Sequence, residues 1–426
     1  MRQSFFTLIF ISFLPVVLCA GPLAAMPPLP PPPAKTAEMS AATPEPSRFV
    51  VRGANIIDRQ SGKKMFFKGI GYSPYLPGET PLQGAAPAAG GRYPERFTEH
   101  FRLFKQLSVN YLHVFPLNMP PEFFAQLDKS DLFYGQDMFV WAYEPDFLDE
   151  AFLAKTLNDL KKVIDHTYAV GRPDRLVLFS VGDELQAKSI IETDRRHPLV
   201  SEYVGKHIAV HHRTPTEVAL ARLIDGAIDY ELTTYGKRHL YCHTSWTHVG
   251  PIADRRDLEV PYENVLSMDM GDLVCLNVYT YARGVRTSGA GSVTGSSYQG
   301  YLEDLAKVTK KPIFITQVGF ATSPNEPRPW VPGFGGHSPE KIPAMLHEIW
   351  RDLTTAKGHD KFCGLAFFEL NDEWWKSAKS PADSEHQDQD DPEQWFGLFS
   401  VGPDGRLIPK GKLPEAVWQI FSQPVK

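Results

Sequence analysis

Leu176-Val177-Leu178-Phe179-Ser180-Val181-Gly182-Asp183-Glu184 is an apolar run that stops abruptly in a glycine and two acids. A half-solvated strand would alternate apolar and polar residues. A continuous run reads instead as a parallel strand covered on both faces. Outward from it, similar runs recur at 66–70, 109–115, 138–142, 240–243, 273–278, 312–317 and 362–368. Helical segments separate most of them. Phe97, Phe101 and Phe104 share one helical face, and Leu153, Leu157, Leu160 and Ile164 recur at i, i+4, i+7 and i+11. Eight such units predict a (β/α)8 TIM barrel with elaborated βα loops. A short hairpin should open it, 49–51 and 65–67 flanking a turn at 58–64. A doubly wound sheet lacks its dinucleotide glycine fingerprint here. The glycines of 284–295 are not followed by Lys-Ser/Thr, so they make no phosphate loop.

The rest of the chain bounds the setting. Its 426 residues are 42% hydrophobic and 22% charged, which excludes disorder along most of the length. The net charge of −6 gives no electrostatic reason for a nucleic-acid partner. Arg2, an apolar run from Phe5 to Leu18, and small residues at Ala20, Gly21, Ala24 and Ala25 read as a secretory signal over 1–25. The product is then secreted or periplasmic, with no transmembrane span, because the run is shorter than the roughly 20 residues a bilayer needs. Cys19 invites lipid anchoring, but the bulky Leu18 stands where a small residue is usual. Prolines crowd 26–47 into an extended spacer, and the barrel occupies 48–426. Cys242, Cys275 and Cys363 lie in apolar runs and read as buried small hydrophobes. His207, His211 and His212 read as a surface cluster, and the acidic stretch 383–393 as a solvated rim loop. No cofactor and no metal site is expected.

In a barrel of this kind the chemistry sits at the C-terminal ends of the strands. Tyr72 ends the first strand, His113 lies near the end of the second, and Trp141, Tyr143 and Glu144 follow the third. Asp183 and Glu184 end the fourth, Trp246 the fifth, Asn277 and Tyr279 the sixth, and Gln317 the seventh. The eighth delivers Glu369, Asp372, Glu373, Trp374, Trp375 and Lys376. Acids among tryptophans suit glycoside chemistry. One carboxylic acid protonates the leaving oxygen, a second carboxylate attacks the anomeric carbon or activates water, and indole faces stack on sugar rings.

Phe179-Ser180-Val181-Gly182-Asp183-Glu184 resembles the strand-four motif of clan A glycoside hydrolases, in which Gly-Asn-Glu carries the acid/base Glu. The segment 311–320 resembles their strand-seven motif, in which a Glu is the nucleophile. Phe367-Phe368-Glu369, Asp372-Glu373-Trp374-Trp375-Lys376 and Trp395-Phe396-Gly397-Leu398-Phe399 resemble strand eight and its sequel in family 17-like β-glucanases and transglycosidases. The resemblance implies a barrel acting on a polysaccharide or oligosaccharide, plausibly a β-glucan or exopolysaccharide, with Glu184 as general acid/base. Three positions depart from the pattern: Asp183 replaces the Asn that usually binds the sugar 2-hydroxyl, Gln317 replaces the nucleophile, and His113 stands where an Arg is common.

An amide has no anionic oxygen to attack with, and no acid occurs from Lys311 through Asn325, so a shift of register does not restore one. Inversion is one expectation. Its carboxyls lie about 6.5–9.5 Å apart, with Glu369 as first choice for the base and Asp372, Glu373 or Glu144 behind it. Asp183, Gln317, Asn277, Tyr279, Tyr72 and His113 would orient the sugar, Trp141, Trp246, Trp374 and Trp375 would stack on it, and Lys376 would neutralise the strand-eight acids. The alternatives are a disabled barrel that binds polysaccharide without cutting it, and a structural component of an envelope polysaccharide assembly.

Overall fold

The structure is a computed structural model that describes residues 45–81, 93–253, 258–268, 270–279, 297–324 and 335–425. The signal segment, Cys19, most of the spacer and the glycine-rich stretch 284–295 lie outside the described residues. Eight parallel strands close on themselves: β1 (Phe67–Tyr72), β2 (Tyr111–Val114), β3 (Phe133–Met138), β4 (Leu176–Asp183), β5 (Leu240–Trp246), β6 (Val274–Asn277), β7 (Ile313–Val318) and β8 (Phe362–Phe367). β8 pairs with β1 to complete the ring, so the barrel has no open edge. The chain is a (β/α)8 TIM barrel.

Around it run α1 (Arg96–Gln106), α2 (Pro121–Leu127), α3 (Glu150–Ala169), α4 (Ala187–Arg196), α5 (Pro215–Tyr235), α6 (Ser297–Val308), α7 (Ile342–Thr355) and α8 (Leu413–Phe421). Two helices, α4 and α5, lie between β4 and β5, and the described part of the β5–β6 connection holds no α-helix. The helix boundaries follow from local chemistry. Asp149 caps α3 by accepting from the Phe152 N–H at 2.8 Å. Thr214 and Glu217 form a reciprocal capping box on α5, Pro215 opens that helix, and Gly236 closes it at φ +67°. The Leu153–Leu160–Ile164 stripe of α3 is buried as its spacing requires, each side chain stabilising the fold by roughly 1.5–3 kcal/mol.

Two elements differ from the sequence reading. The third strand is Phe133–Met138, earlier than the apolar stretch 138–142, because its barrel-facing side is built from Gly135 and Asp137 rather than from aliphatic residues. The hairpin pairs Phe49–Arg52 with Asn55–Asp58, and Gly53 at φ +60° makes its turn. Asp58–Lys64 is instead the exit from the second strand of the hairpin. Glu45–Pro46 pair with Lys237–Arg238, so two residues of the stretch read as spacer pair with the barrel domain.

The hairpin closes the lower end of the barrel. Phe49 is fully buried, with its ring 6.0 Å from Phe67 and 5.0 Å from Phe133. Above it Phe67, Tyr111 and Phe314 fill the interior at ring separations of 4.9–5.9 Å. Cys242, Cys275 and Cys363 pack in the same layer as free, buried thiols. The large rings fit because small residues face them: a Cβ on Gly135 would lie 1.9 Å from the Tyr111 hydroxyl. Gly135→Ala is therefore expected to lower stability by about 1–3 kcal/mol, and Tyr111→Phe in the same chain to restore part of it. Urea unfolding of both variants checks this; an undiminished Gly135→Ala midpoint would refute the packing argument.

Candidate active site

β4 does not end as a regular strand. Its pairing with β5 slips between Ser180↔Cys242 and Asp183↔Thr244, and Gly182 and Glu184 adopt left-handed φ of +74° and +48°. Successive side chains of a regular strand point to opposite faces. The bulge and the two left-handed residues break that rule and turn Asp183 and Glu184 toward the same neighbour. Asn277 Nδ2 donates to Asp183 Oδ1 at 3.0 Å and to Glu184 Oε1 at 2.8 Å. Thr316 Oγ1 fixes the Asn277 amide by donating to its Oδ1 at 2.8 Å. Gln317 Nε2 donates to the other Asp183 oxygen at 3.0 Å, and Tyr279 Oη donates to Gln317 Oε1 at 3.1 Å. One hydrogen-bonded group thus joins the ends of β4, β6 and β7.

Its electrostatics are dominated by desolvation. Burial, followed by the adjacent Asp183 charge, pushes Glu184 up to about 8. Burial and then the Asp137 charge hold Asp183 well above the usual carboxylate range, against the amide donors that favour its anion. Glu184 is consequently a protonated acid at neutral pH. Both residues remain partly open to solvent.

One neighbour of this group, Asp137, is absent from the sequence reading, and another, Tyr143, figures there only as a residue following the third strand. Asp137, at the end of β3, is buried and raised to about 7, chiefly by desolvation; placing the third strand late hid it. Tyr143 senses the Glu184 charge, and burial foremost raises its hydroxyl to about 12. The Gln186 N–H to Ala142 carbonyl bond, 3.2 Å, brings its loop there.

Other expected residues are placed as follows. Trp246 is half-buried beside the acid: its indole N–H donates to the Leu185 carbonyl at 3.2 Å and its ring stacks on His248 at 4.5 Å. Trp141 is half-buried, 5.4 Å from the Tyr143 ring. His113 faces the barrel interior, one layer down, with Nδ1 3.3 Å from the Tyr111 hydroxyl, and burial lowers it to about 4. Tyr72 corrects the sequence reading. It is fully buried in the helix layer, bonded to His100 Nδ1 at 2.9 Å and packed on Phe104 and Phe123, because strand alternation turns it away from the interior that Gly69 and Gly71 face. Trp375 is buried against Tyr75, and Trp374 lines a surface cavity of about 430 Å³ with Pro77, Gln387 and Pro403.

The strand-eight acids are closed off. Glu369 and Glu373 are each 1% exposed. Burial and the facing Glu373 carboxyl hold Glu369 well above its ordinary value. Lys376 lies 3.3 Å from both Glu373 and Glu393, whose charges with that of Glu369 raise its ammonium even though burial alone would lower it. Glu369, the first choice for a base, is therefore closed off from the barrel mouth. Asp372 belongs to a structural knot: it accepts from Lys410 Nζ at 2.5 Å, from the Gly397 N–H at 3.0 Å and from Gln387 at 3.1 Å, while Lys410 also reaches Thr322 and the Trp395 carbonyl. Burial pushes the acid up and the ammonium down, against their mutual attraction. Lys410→Met strands a buried carboxyl and is expected to cost about 3–5 kcal/mol, with Asp372→Asn in the same chain recovering part. Thermal unfolding checks it; an unshifted midpoint would count against the knot.

Among the described residues no cluster of three His, Cys, Asp or Glu side chains is arranged to hold a metal ion, and no helix is long and apolar enough to cross a membrane.

No family model matches the chain, and no curated protein matches its sequence. Solved structures do match its shape. Saccharomyces cerevisiae Gas2p, determined with laminaritetraose and laminaripentaose, is 13% identical at a TM-score of 0.52, over 88% of this chain and 68% of that one. A GH2 β-galacturonidase from Eisenbergiella tayi bound to galacturonate is 14% identical at 0.54, over 89% and 55%. A β-D-glucuronidase from Dictyoglomus thermophilum is 14% identical at 0.55, over 88% and 54%, so the chain spans about half the length of these two bacterial enzymes. The protein is thus a barrel of the shape that these glycoside hydrolases share.

Proposed function

We propose that the protein is an exported glycoside hydrolase acting on a polysaccharide, with Glu184 as the general acid. The observation that carries this is the protonated, partly open Glu184 at the end of β4, fixed by Asn277 and flanked by the half-buried Trp246. A salt-bridged structural glutamate would be ionised; this one holds a proton where a leaving oxygen needs it. The sequence of 1–25 supports export. Reducing-end release from a panel of α- and β-glucans and exopolysaccharides tests the reading, comparing parent and Glu184→Gln. Turnover in the parent, lost in the variant, is expected.

The amide of Gln317 favours a second reading, a barrel that binds polysaccharide without cutting it. Its signature is a silent parent that retains polysaccharide affinity and loses it on Trp246→Ala.

A further inference from the structure

The acidic stretch read from sequence as a solvated rim loop ends in a glutamate that is built into the barrel mouth. Glu393 lies in a short 3-10 turn, Pro392–Trp395, beyond β8. Asp391 caps that turn by accepting from the Glu393 N–H at 3.0 Å, and Gln394 ties it down by donating to the Lys376 carbonyl at 2.6 Å. The next ring along, Phe396, packs 5.3 Å from Phe368 at the exit of β8 and 6.0 Å from Tyr279, which holds Gln317. The turn is therefore fastened over the ends of β6, β7 and β8.

In a closed ring of eight strands, β8 stands opposite β4. The Glu393 side chain keeps 20% of its surface open, and its Oε2 accepts from Lys376 Nζ at 3.3 Å, with that ammonium seated 4.6 Å over the Phe368 ring. After burial and the adjacent Asp183, the Glu393 charge also lifts Glu184; after burial and Glu184, it lifts the Tyr143 hydroxyl. The two glutamates thus face one space from different walls. Their hydrogen bonds come from different donors, Asn277 for Glu184 and Lys376 for Glu393. Glu144, also partly open, turns to another side: it accepts from the Asp146 N–H at 3.3 Å and lies among Asp149, Asp146 and Arg196. Burial raises the Glu393 carboxyl above its ordinary value, the Lys376 charge opposes that rise, and Asp391 and Glu373 add to it. The outcome is a stronger base than an exposed glutamate, beside a cation that favours its anion.

We propose that Glu393 is the second catalytic carboxylate, the general base that activates water on the face of the sugar away from Glu184, and that Lys376 is the positioning residue that holds its anion. The inference rests on the hydrolase reading. Glu184 gives its proton to the departing oxygen as the C1–O glycosidic bond breaks. The oxygen of water bonds to C1 from the opposite side, and Glu393 takes the proton that this water loses. Glu184 is left as the anion and Glu393 as the acid, and proton exchange with solvent restores both. Configuration at C1 inverts. Opposite walls and separate donors suit the spacing of about 6.5–9.5 Å that leaves room for the water.

The test uses the full chain on α- and β-glucans, exopolysaccharides, and α- and β-glucosyl fluorides, whose leaving group needs little protonation. Glu393→Gln should lower kcat about 10²–10⁴-fold on polysaccharide and fluoride alike, whereas Glu184→Gln should spare the fluoride. Proton NMR of the first-formed sugar should show the anomer opposite to the linkage cleaved. Azide should restore turnover to Glu393→Ala and give a glycosyl azide of inverted configuration, a rescue that a misfolded chain does not permit. Lys376→Gln should move the acidic limb of the kcat/KM profile to higher pH, because the Glu393 anion loses its cation, and Glu393→Gln should abolish that limb. A product of retained configuration, a Glu393→Gln variant as fast as the parent, or a Glu393→Ala variant that azide does not restore overturns this inference and leaves the hydrolase standing. A parent inert on every substrate overturns both.

Discussion

Glu184→Gln is expected to lower turnover of native polysaccharide by about 10²–10⁴-fold, the range that a positioned general acid supplies. The loss should shrink on aryl glycosides whose leaving group needs no proton, because the amide removes only that step. The parent should lose activity as pH rises through about 8, where Glu184 gives up its proton. The same shift has a sign in stability. The ordinary value is 4.5 and the folded value about 8, so between them the folded chain holds a proton that the unfolded chain has released. Stability of the parent therefore declines as pH rises through that window. The variant lacks the group, and is expected to exceed the parent by about 1–3 kcal/mol near pH 8 while matching it near pH 4. Urea titrations at the two pH values check this. A variant no more stable than the parent at pH 8 would show that Glu184 ionises freely in the fold and is no poised acid.

The second large effect concerns Asp183 and Gln317 together. Gln317 on β7 donates its side-chain N–H to Asp183 on β4. Gln317→Glu alone removes the N–H that Asp183 accepts and sets a second carboxylate against it, a change expected to cost about 2–4 kcal/mol. Adding Asp183→Asn returns an amide donor to the pair, now pointing the other way, and should recover most of that loss, a coupling of about 1–3 kcal/mol. The double variant also carries an anion on β7, where a nucleophile would stand, and is expected to gain slow cleavage of unsubstituted aryl glucosides. Denaturation of the two singles and the double measures the coupling. Purely additive effects would mean that the two positions are independent departures.

Much of the barrel was readable because burial on two faces writes itself as unbroken apolar runs. β4 and β7 show this plainly. β3 did not, because Gly135 makes way for Tyr111 and Asp137 belongs to the polar layer, while the aromatic stretch after it lies in the following loop. Tyr72 was open to correction from alternation alone: Gly69 and Gly71 face inward, so Tyr72 faces out. For the site, Asp183, Glu184, Asn277 and Gln317 were each visible as polar ends of strands. Their convergence was not, since it depends on a bulge and two left-handed backbones that no local pattern announces. Nor could composition tell an open acid from a closed one. Glu184 and Glu369 both end apolar strands, and only packing separates them.

The stacked rings of Phe67, Tyr111 and Phe314, closed beneath by Phe49, make the barrel a vessel with a single opening. A polysaccharide cannot be threaded through it. On the proposed reading a polymer would lie across the rim, and water would reach Glu184 from the side the sugar occupies. On the hydrolase reading, hydrolysis and transfer to another sugar would compete for one doorway, and the acceptor that occupies it first would decide which product is made.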